Sequence, residues 1–267
     1  MAIGLNTVYG LLKILHVAHA GIYTLGAYVG LFILRTLTKS FWPALGCALI
    51  VPGLVGVGIF HVLYKPVLRR PRYVALIASA GVFAASQELF RLIAGPYPYA
   101  FPARFEFPSI QTSLFHLTST QTLILVFTVI NFVLLYLLIS RTKIGLAWRA
   151  CMQDMDIAGA SGINVNHVIT LNFLFGSMLA GGAGVLVALY RNSVFPTMGA
   201  LVSYKAFVVV VLGGLGSIPG AVIAGLLLAL VESLLGATPW FEFPRDALGF
   251  LTMTLILLFR PKGLFRR

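Results

Sequence analysis

Long apolar runs separated by short polar segments dominate the pattern along this chain. Four runs have about 20 residues or more, and charges interrupt only the second of them, near its end: residues 41–64, 73–94, 118–140 and 168–190. About 20 apolar residues suffice for a span, because a helix rises about 1.5 Å per residue and the hydrocarbon core is about 30 Å thick. Lipid offers exposed backbone groups no hydrogen-bonding partner, so the runs are expected to be helical. The pattern therefore predicts four transmembrane helices.

Further apolar segments are shorter or interrupted. Residues 1–12, 21–34 and 247–259 are apolar but shorter than a full span. Residues 206–231 have no charge, yet a glycine-rich string at 213–220 breaks the run. Proline lacks the amide hydrogen and suits the first turn of a new helix, so we expect one element ending near Leu212 and a second from Pro219 to Leu235. The overall prediction is an all-α polytopic membrane protein with about seven to nine membrane helices, including short or broken ones, in one domain over residues 1–267.

Composition supports a membrane protein. Hydrophobic residues make up 59% of the chain and charged residues 10%, whereas soluble domains have roughly 45–50% and about 25%. So little polar surface excludes an ordinary soluble fold, and so many apolar residues exclude a disordered chain.

Basic residues set the expected orientation. Lys and Arg outnumber Asp and Glu by 19 to 7, which gives a net charge of +12. On a soluble chain this would suggest nucleic acid, but membrane proteins concentrate basic residues in short cytoplasmic loops. Positive charges cluster in residues 65–72, 141–167 and 260–267. We therefore expect these three segments to be cytoplasmic, the loop 95–117 to be extracytoplasmic, and no nucleic acid to be bound.

Motifs of catalysis and of nucleotide binding are missing from the sequence. It contains no H-E-x-x-H, C-x-x-C, G-x-S-x-G or G-x-x-x-x-G-K-[ST] pattern. His16 and His19, three positions apart, could share a helix face as metal ligands do. Without nearby carboxylates or cysteines, they are better interpreted as polar groups at a membrane boundary or in the bundle interior. We expect no catalytic residue, no metal and no bound cofactor.

Ionisable groups within apolar runs are candidates for function. Glu88 and Arg91 have i,i+3 spacing and are expected to pair. Glu232 falls near the outer end of its helix, where it could either be solvated at the membrane interface or belong to a solute pathway. His16 and His19 are the other possible polar residues of a pathway. Coupled carriers usually need acidic groups near the middle of the membrane, so the scarcity of acids counts against a secondary transporter.

Small residues recur at spacings that favour close helix packing. The sets Gly176, Ala180, Gly184 and Gly216, Gly220, Ala224 have the small-xxx-small pattern, which lets helix backbones approach each other. With Gly213, Gly214 and Pro219, they are interpreted first as packing surfaces, and second as part of a pathway.

The connector, defined as residues 141–164, separates two of the long runs. Ala150, Asp154 and Ala158 recur every four residues, and Gly162 suits a helix stop. A short amphipathic helix here could lie on the membrane surface. Its small face, with Arg149 and Asp154, fits a groove on a soluble partner better.

Several strings of the sequence resemble one family. In the connector, Arg141-Thr142, Gly145, Arg149-Ala150, Asp154, Ala158 and Gly162-Ile163-Asn164 resemble the coupling segment, here 141–166, of ABC importer permeases of the branched-chain amino acid type. The resemblance continues through Leu179-Ala180-Gly181, Lys205-Ala206-Phe207, Gly213-Gly214-Leu215-Gly216-Ser217-Ile218-Pro219-Gly220, Glu232 and Arg260-Pro261. Gly4-Leu5-Asn6 and Tyr23 to Tyr28 are similar to the shorter of the two permease subunits. Nearly the whole chain is covered, in order.

The resemblance implies partners and a location. A second permease subunit would complete the pore, two cytoplasmic ATPases would bind ATP and Mg²⁺, and an extracytoplasmic binding protein would deliver solute. The ATPase-coupling residues would be Gly145, Arg149, Ala150, Asp154, Ala158 and Gly162. The chain would lie in the inner or plasma membrane of a bacterium or archaeon, with its C-terminus cytoplasmic.

One departure from the family leaves the solute open. The family typically has Asn-Phe-Ala-His-Gly and then an acidic residue, where this chain has His16-Val17-Ala18-His19-Ala20-Gly21. Branched-chain amino acids are the first expectation, followed by other amino acids, urea and short amides. A secondary carrier or channel without an ATPase, and a membrane scaffold without transport, remain the alternatives.

Overall fold

The computed structural model describes residues 1–68, 70–103, 105–111 and 116–236, together with the helical positions 251, 254 and 258. Helices make up nearly all of this part of the chain, and a two-residue strand pair lies in the loop 95–117. The helices are α1 Ala2–Leu12, α2 His19–Thr36, α3 Phe41–Ile59, α4 Lys65–Val67, α5 Arg72–Ala94, α6 Ser119–Arg141, α7 Lys143–Gln153, α8 Met155–Ala160, α9 Val165–Arg191, α10 Met198–Gly213 and α11 Ile218–Gly236; the strands are β1 Ile110–Gln111 and β2 His116–Leu117.

Four helices of the described part are long and apolar enough to cross a membrane, which confirms the four predicted runs. They are Phe41–Val67, in which one π-helical segment, Phe60–Tyr64, joins α3 to α4, and Arg72–Ala94, Ser119–Arg141 and Val165–Arg191. The all-α polytopic fold class is also confirmed. The predicted apolar run 247–259 and the basic segment 260–267 lie outside the described residues, apart from the three helical positions.

Helix α9 is the centre of the bundle, and glycines let its neighbours approach its backbone. A side-chain carbon at Gly176 would lie 3.1 Å from the carbonyl oxygen of Gly4 on α1. One at Gly184 would collide with the carbonyl oxygen of Tyr23 on α2, and one at Gly181 with that of Ala48 on α3. Ala180 is fully buried among these contacts. Backbones this close leave room for hydrogen only, so the small residues fix where α1, α2 and α3 pack.

The apolar segment that begins at α10 is broken, as predicted, into two helices. The axes of α10 and α11 differ by 118°, and the turn between them holds Gly214 and Gly216 at φ +91°, a left-handed conformation that favours glycine. One expectation was wrong: Gly216 does not share a helix face with Gly220 and Ala224, because it lies in the turn before α11 begins. The turn is called the helix break below and comprises residues 214–217.

The connector is two helices rather than the expected one. Helix α7 ends at Gln153, and Asp154 adopts an extended conformation (φ −154°, ψ 120°) that starts α8. The four-residue spacing of Ala150, Asp154 and Ala158 therefore does not define one helix face. An aspartate competes with helical hydrogen bonding by capping the next helix, which the periodicity alone did not reveal.

Candidate functional site

The candidate site extends from the connector, through α1, to the helix break. It begins where α6 turns into α7. The Thr142 hydroxyl accepts a hydrogen bond from the Gly145 amide at 3.0 Å and donates one to the Leu138 carbonyl at 2.5 Å. A side-chain carbon at Gly145 would collide with the carbonyl oxygens of Leu138 and Ile139. The Arg149 guanidinium also donates to the Ile139 carbonyl. These contacts fix α7 against the end of α6.

Asp154 has a local structural role. One carboxylate oxygen accepts hydrogen bonds from the amides of Asp156 and Ile157 at 2.8 and 2.9 Å, and it caps the N-terminus of α8. Gly162 ends the connector helices at φ +87°, with open space where a side chain would point. Both residues are exposed.

Two of the small residues that were expected to face a partner of the connector are buried inside the chain. Gly145 and Ala158 are buried within the chain, and Ala150 is half-buried. The expectation that Gly145 and Ala158 lie on a docking face is therefore wrong. The exposed face instead contains large apolar side chains, which are Ile144, Leu146 and Ile157 at 43, 61 and 66% exposure. Sequence reasoning missed them because it favoured small residues.

The inner face of α7 packs on the bundle. Trp148 and Cys151 are buried there, and burial raises the pKa of the Cys151 thiol. Next to them, Met152 reaches α1 and the helix break. A side-chain carbon at Gly10 would lie 2.9 Å from the Met152 terminal methyl and 3.1 Å from the Gly216 Cα. A side-chain carbon at Gly216 would lie 3.5 Å from the same Met152 methyl and 3.3 Å from the Gly10 Cα. Met152 of the connector, Gly10 of α1 and Gly216 of the break therefore lie close together.

Asn6 of α1 holds the helix break. Its side-chain oxygen accepts a hydrogen bond from the Gly216 amide, and its side-chain nitrogen donates to the Ser217 carbonyl, both at 2.7 Å. Asn6 is fully buried. A broken helix leaves backbone groups without helical partners, and a membrane interior offers no water to replace them. Asn6 supplies that replacement for the Gly216 amide and adds a second hydrogen bond to the Ser217 carbonyl, which also accepts from the Ala221 amide. A lone amide in an apolar helix was the signal that sequence reasoning did not use.

The two helix ends that flank the break pack tightly against each other. A side-chain carbon at Gly213 or Gly220 would collide with the backbone of the other residue. The Ser217 hydroxyl accepts a hydrogen bond from the Gly220 amide at 3.1 Å, and Pro219 lies in the first turn of α11. The end of α10 and the start of α11 thus cross in backbone contact.

His16 and His19 lie in the bundle interior, and both are fully buried. The Nδ1 atom of His16 is 2.6 Å from the Tyr64 hydroxyl, at the end of the π-helical segment. The His16 ring also contacts Phe173 edge-on. The described residues contain no cluster of three or more His, Cys, Asp or Glu side chains that could hold a metal. The geometry is that of a packed polar core.

Two ion pairs occur in the described part of the chain. Glu88 and Arg91 pair at 2.9 Å on α5, which confirms the prediction. Glu232 is not simply solvated at an interface: its Oε2 lies 2.9 Å from the Nζ of Lys205, which joins α11 to α10. Sequence reasoning noted Lys205 only within a family string, because 27 residues separate the partners.

Comparison with known proteins gives the family. A model described as the permease component of branched-chain amino acid transport systems matches residues 1–259. The high-affinity branched-chain amino acid transport system permease protein LivH of Salmonella typhimurium is 34% identical over all of this chain and 90% of its own length. LivH of Escherichia coli is 32% identical over the same shares, and BraD of Pseudomonas aeruginosa 33% over all of this chain and 91% of its own.

A more distant relative is the permease protein LivM of Escherichia coli, 28% identical over 99% of this chain and 66% of its own length. No solved structure matches the chain significantly. The family model covers nearly the whole chain, and the relatives above 30% identity cover all of it. The chain belongs to the family of permease components of branched-chain amino acid transport systems.

Proposed function

We propose that this chain is one of two permease subunits of an ATP-driven importer for branched-chain amino acids. The family and the names of its relatives support the transport role. The similarity to both LivH and LivM supports a pore built from two related but different permeases. This chain contributes no catalytic residue and binds no cofactor; ATP and Mg²⁺ are bound by two partner ATPases.

The observation that carries this proposal is the position of the connector. Its exposed face, with Leu146 and Ile157, is available to a soluble ATPase, while its inner face touches the helix break through Met152. Exposed apolar side chains rimmed by polar groups are typical of a protein interface. A movement of docked ATPases would therefore be transmitted to α10 and α11, and would bias the pathway between its inward-open and outward-open states.

The coupling residues then fall into two groups. Arg149, Asp154 and Gly162 are exposed and form part of the docking surface. Gly145, Ala150 and Ala158 support that surface from within the chain. The packing residues of α9 and of the helix break set the geometry of the pathway.

The orientation follows from the basic loops. The connector and the C-terminus are cytoplasmic, and the loop 95–117 faces a solute-binding protein on the other side of a bacterial or archaeal inner membrane. That loop is anchored by paired backbone hydrogen bonds between Tyr99 and Val194, at 2.8 and 2.9 Å. Tyr99 is thereby fixed beside the C-terminal end of α9, which gives a delivering protein an ordered surface.

The deciding experiment is reconstitution of this chain with its partner subunits in proteoliposomes. ATP hydrolysis and uptake are measured against a panel of branched-chain amino acids, other amino acids, urea and short amides. ATP-dependent uptake, stimulated by the loaded binding protein, is the expected result. Uptake by the permeases without ATPases would instead establish the carrier alternative.

A further inference from the structure

The ion pair between Lys205 and Glu232 differs from the other ion pair of the described residues. The side chains of Glu88 and Arg91 are 63 and 46% exposed, whereas those of Glu232 and Lys205 are only 17 and 31% exposed. Lys205 and Glu232 also lie on the broken helix pair, within an apolar sequence. Charges there are costly, and those that persist in membrane proteins usually serve function.

The pair joins the two helices at one end of their shared interface. The core of that interface is aliphatic, with Val208, Val209 and Leu212 of α10 against Ala221, Ala224 and Leu228 of α11. Val208 and Val209 lie one turn from Lys205, and Leu228 lies one turn from Glu232. Charged groups of both signs therefore adjoin a branched apolar surface.

Only one oxygen of the Glu232 carboxylate accepts a hydrogen bond from the described residues. Oε2 accepts from the Lys205 ammonium, whereas Oε1 is buried and has no hydrogen-bond partner among the described residues. A buried carboxylate oxygen without a donor is unfavourable. Oε1 can accept a hydrogen bond from a further group while Oε2 keeps its bond to Lys205. Because the carboxylate is negative, a cationic donor fits best.

We propose that Lys205 and Glu232 form a contact site for the zwitterionic head of an α-amino acid in the transport pathway, an inference that rests on the proposed function. The solute ammonium donates to Glu232, and its carboxylate accepts from Lys205. Each charged end of the solute meets an opposite charge, so neither end is moved through the apolar region unpaired. The neighbouring aliphatic side chains contact the branched side chain of the solute. The site opens when α10 and α11 move apart.

The test separates this role from a purely structural ion pair. The double variant Lys205→Met/Glu232→Met removes both charges without leaving either unpaired. The matched control Glu88→Gln/Arg91→Met removes the exposed pair of α5. The thermal denaturation midpoint of the purified complex is measured with leucine, with isopentylamine, which has only the ammonium, and with 4-methylpentanoate, which has only the carboxylate.

Leucine is expected to raise the denaturation midpoint of the wild type and of the control more than either analogue does. The midpoint of the double variant is expected not to change with leucine. Glu232→Gln keeps a hydrogen bond to Lys205 but loses the negative charge, and it is expected to lose the leucine effect as well. An equal leucine effect in Lys205→Met/Glu232→Met or in Glu232→Gln, or none in the wild type, would overturn the proposal.

Transport provides the second measurement. In proteoliposomes the double variant is expected to lose about tenfold or more of its ATP-driven leucine uptake, while the loaded binding protein still stimulates its ATPase activity. Full uptake would show that the pair is only structural. A wild type that leucine stabilises but that shows no ATP-driven uptake would contradict the proposed function, and would support the site.

Discussion

The amide of Gly216 donates a 2.7 Å hydrogen bond to the side chain of Asn6, across 210 positions of sequence. One short helix thus stabilises the turn at which the chain between α10 and α11 is broken. Because the same side chain also binds Ser217, the break is held at two consecutive residues. Asn6 is a positioning residue for the two helices that contain the proposed solute site.

Removal of the Asn6 amide should loosen the break. Asn6→Ala leaves the half-buried Gly216 amide without its partner, at a cost of about 1–3 kcal/mol, whereas the Ser217 carbonyl keeps the hydrogen bond that it accepts from the Ala221 amide at 2.9 Å. We expect a lower denaturation midpoint of the complex and reduced uptake. Asn131→Ala is the control, because among the described residues Asn131 bonds only to the Phe127 carbonyl, one turn away in its own helix. Equal effects of the two substitutions would contradict a special role of Asn6.

Bulk at the crossing of α10 and α11 should be poorly tolerated. Gly220→Leu places a side chain against the Gly213 backbone, and overpacking costs about 1–3 kcal/mol. Gly225→Leu on the same helix is the control, since a side-chain carbon there meets only Val209, at 3.6 Å, in the part of the chain that the structure describes. Assembly of the complex and uptake are measured for both. Normal transport by Gly220→Leu would show that the backbones can separate at no cost.

Docking of the connector can be separated from its folding at Asp154. Asp154→Asn keeps a side-chain oxygen for the α8 cap, whereas Asp154→Ala loses the cap at about 0.5–2 kcal/mol. If the negative charge is required for docking, the Asp154→Asn variant folds and inserts into the membrane normally but loses solute-stimulated ATP hydrolysis. Normal hydrolysis in the Asn variant and reduced hydrolysis in the Ala variant would mean that only the cap matters.

The exposed apolar face of the connector should also be required. Leu146→Glu places a charge on the surface that the ATPase is proposed to cover, and co-purification of the ATPase should fall. Leu37→Glu serves as a control for a new charge on an exposed position away from the connector, since Leu37 is 73% exposed in the turn between α2 and α3. Retained co-purification in the Leu146 variant would remove the docking proposal.

Labelling of single cysteines tests the orientation. Cysteines at positions 70, 159 and 266 should be reached by an impermeant maleimide only after permeabilisation, whereas a cysteine at position 104 should react in intact cells. External labelling at 159 would reverse the topology.

The native Cys151 thiol should interfere little with that assay. Burial raises its pKa, so its reactive thiolate is scarcer at neutral pH than that of an ordinary cysteine. Its alkylation rate should rise at higher pH than the rate of a cysteine introduced at the exposed position 159. Equal pH profiles would contradict the burial of Cys151.

The sequence by itself determined the features that depend on local hydropathy and backbone preference. Four long helices, the division near Gly213, the left-handed stop at Gly162 and the Glu88–Arg91 pair all follow from residues within a few positions of each other. Such features are predictable because helix length, glycine conformation and i,i+3 contacts are properties of a short stretch of chain.

Only the tertiary structure decided which segments meet. It placed Asn6 against Gly216 and Lys205 against Glu232. In the connector it buried Gly145 and Ala158 and left Leu146 exposed. The connector is also divided at Asp154, because its carboxylate accepts hydrogen bonds from the amides of Asp156 and Ile157 and so caps a new helix. Periodicity assigns a residue to a face of its own helix. The neighbour that covers this face comes from packing between distant segments, in which most buried polar groups find partners.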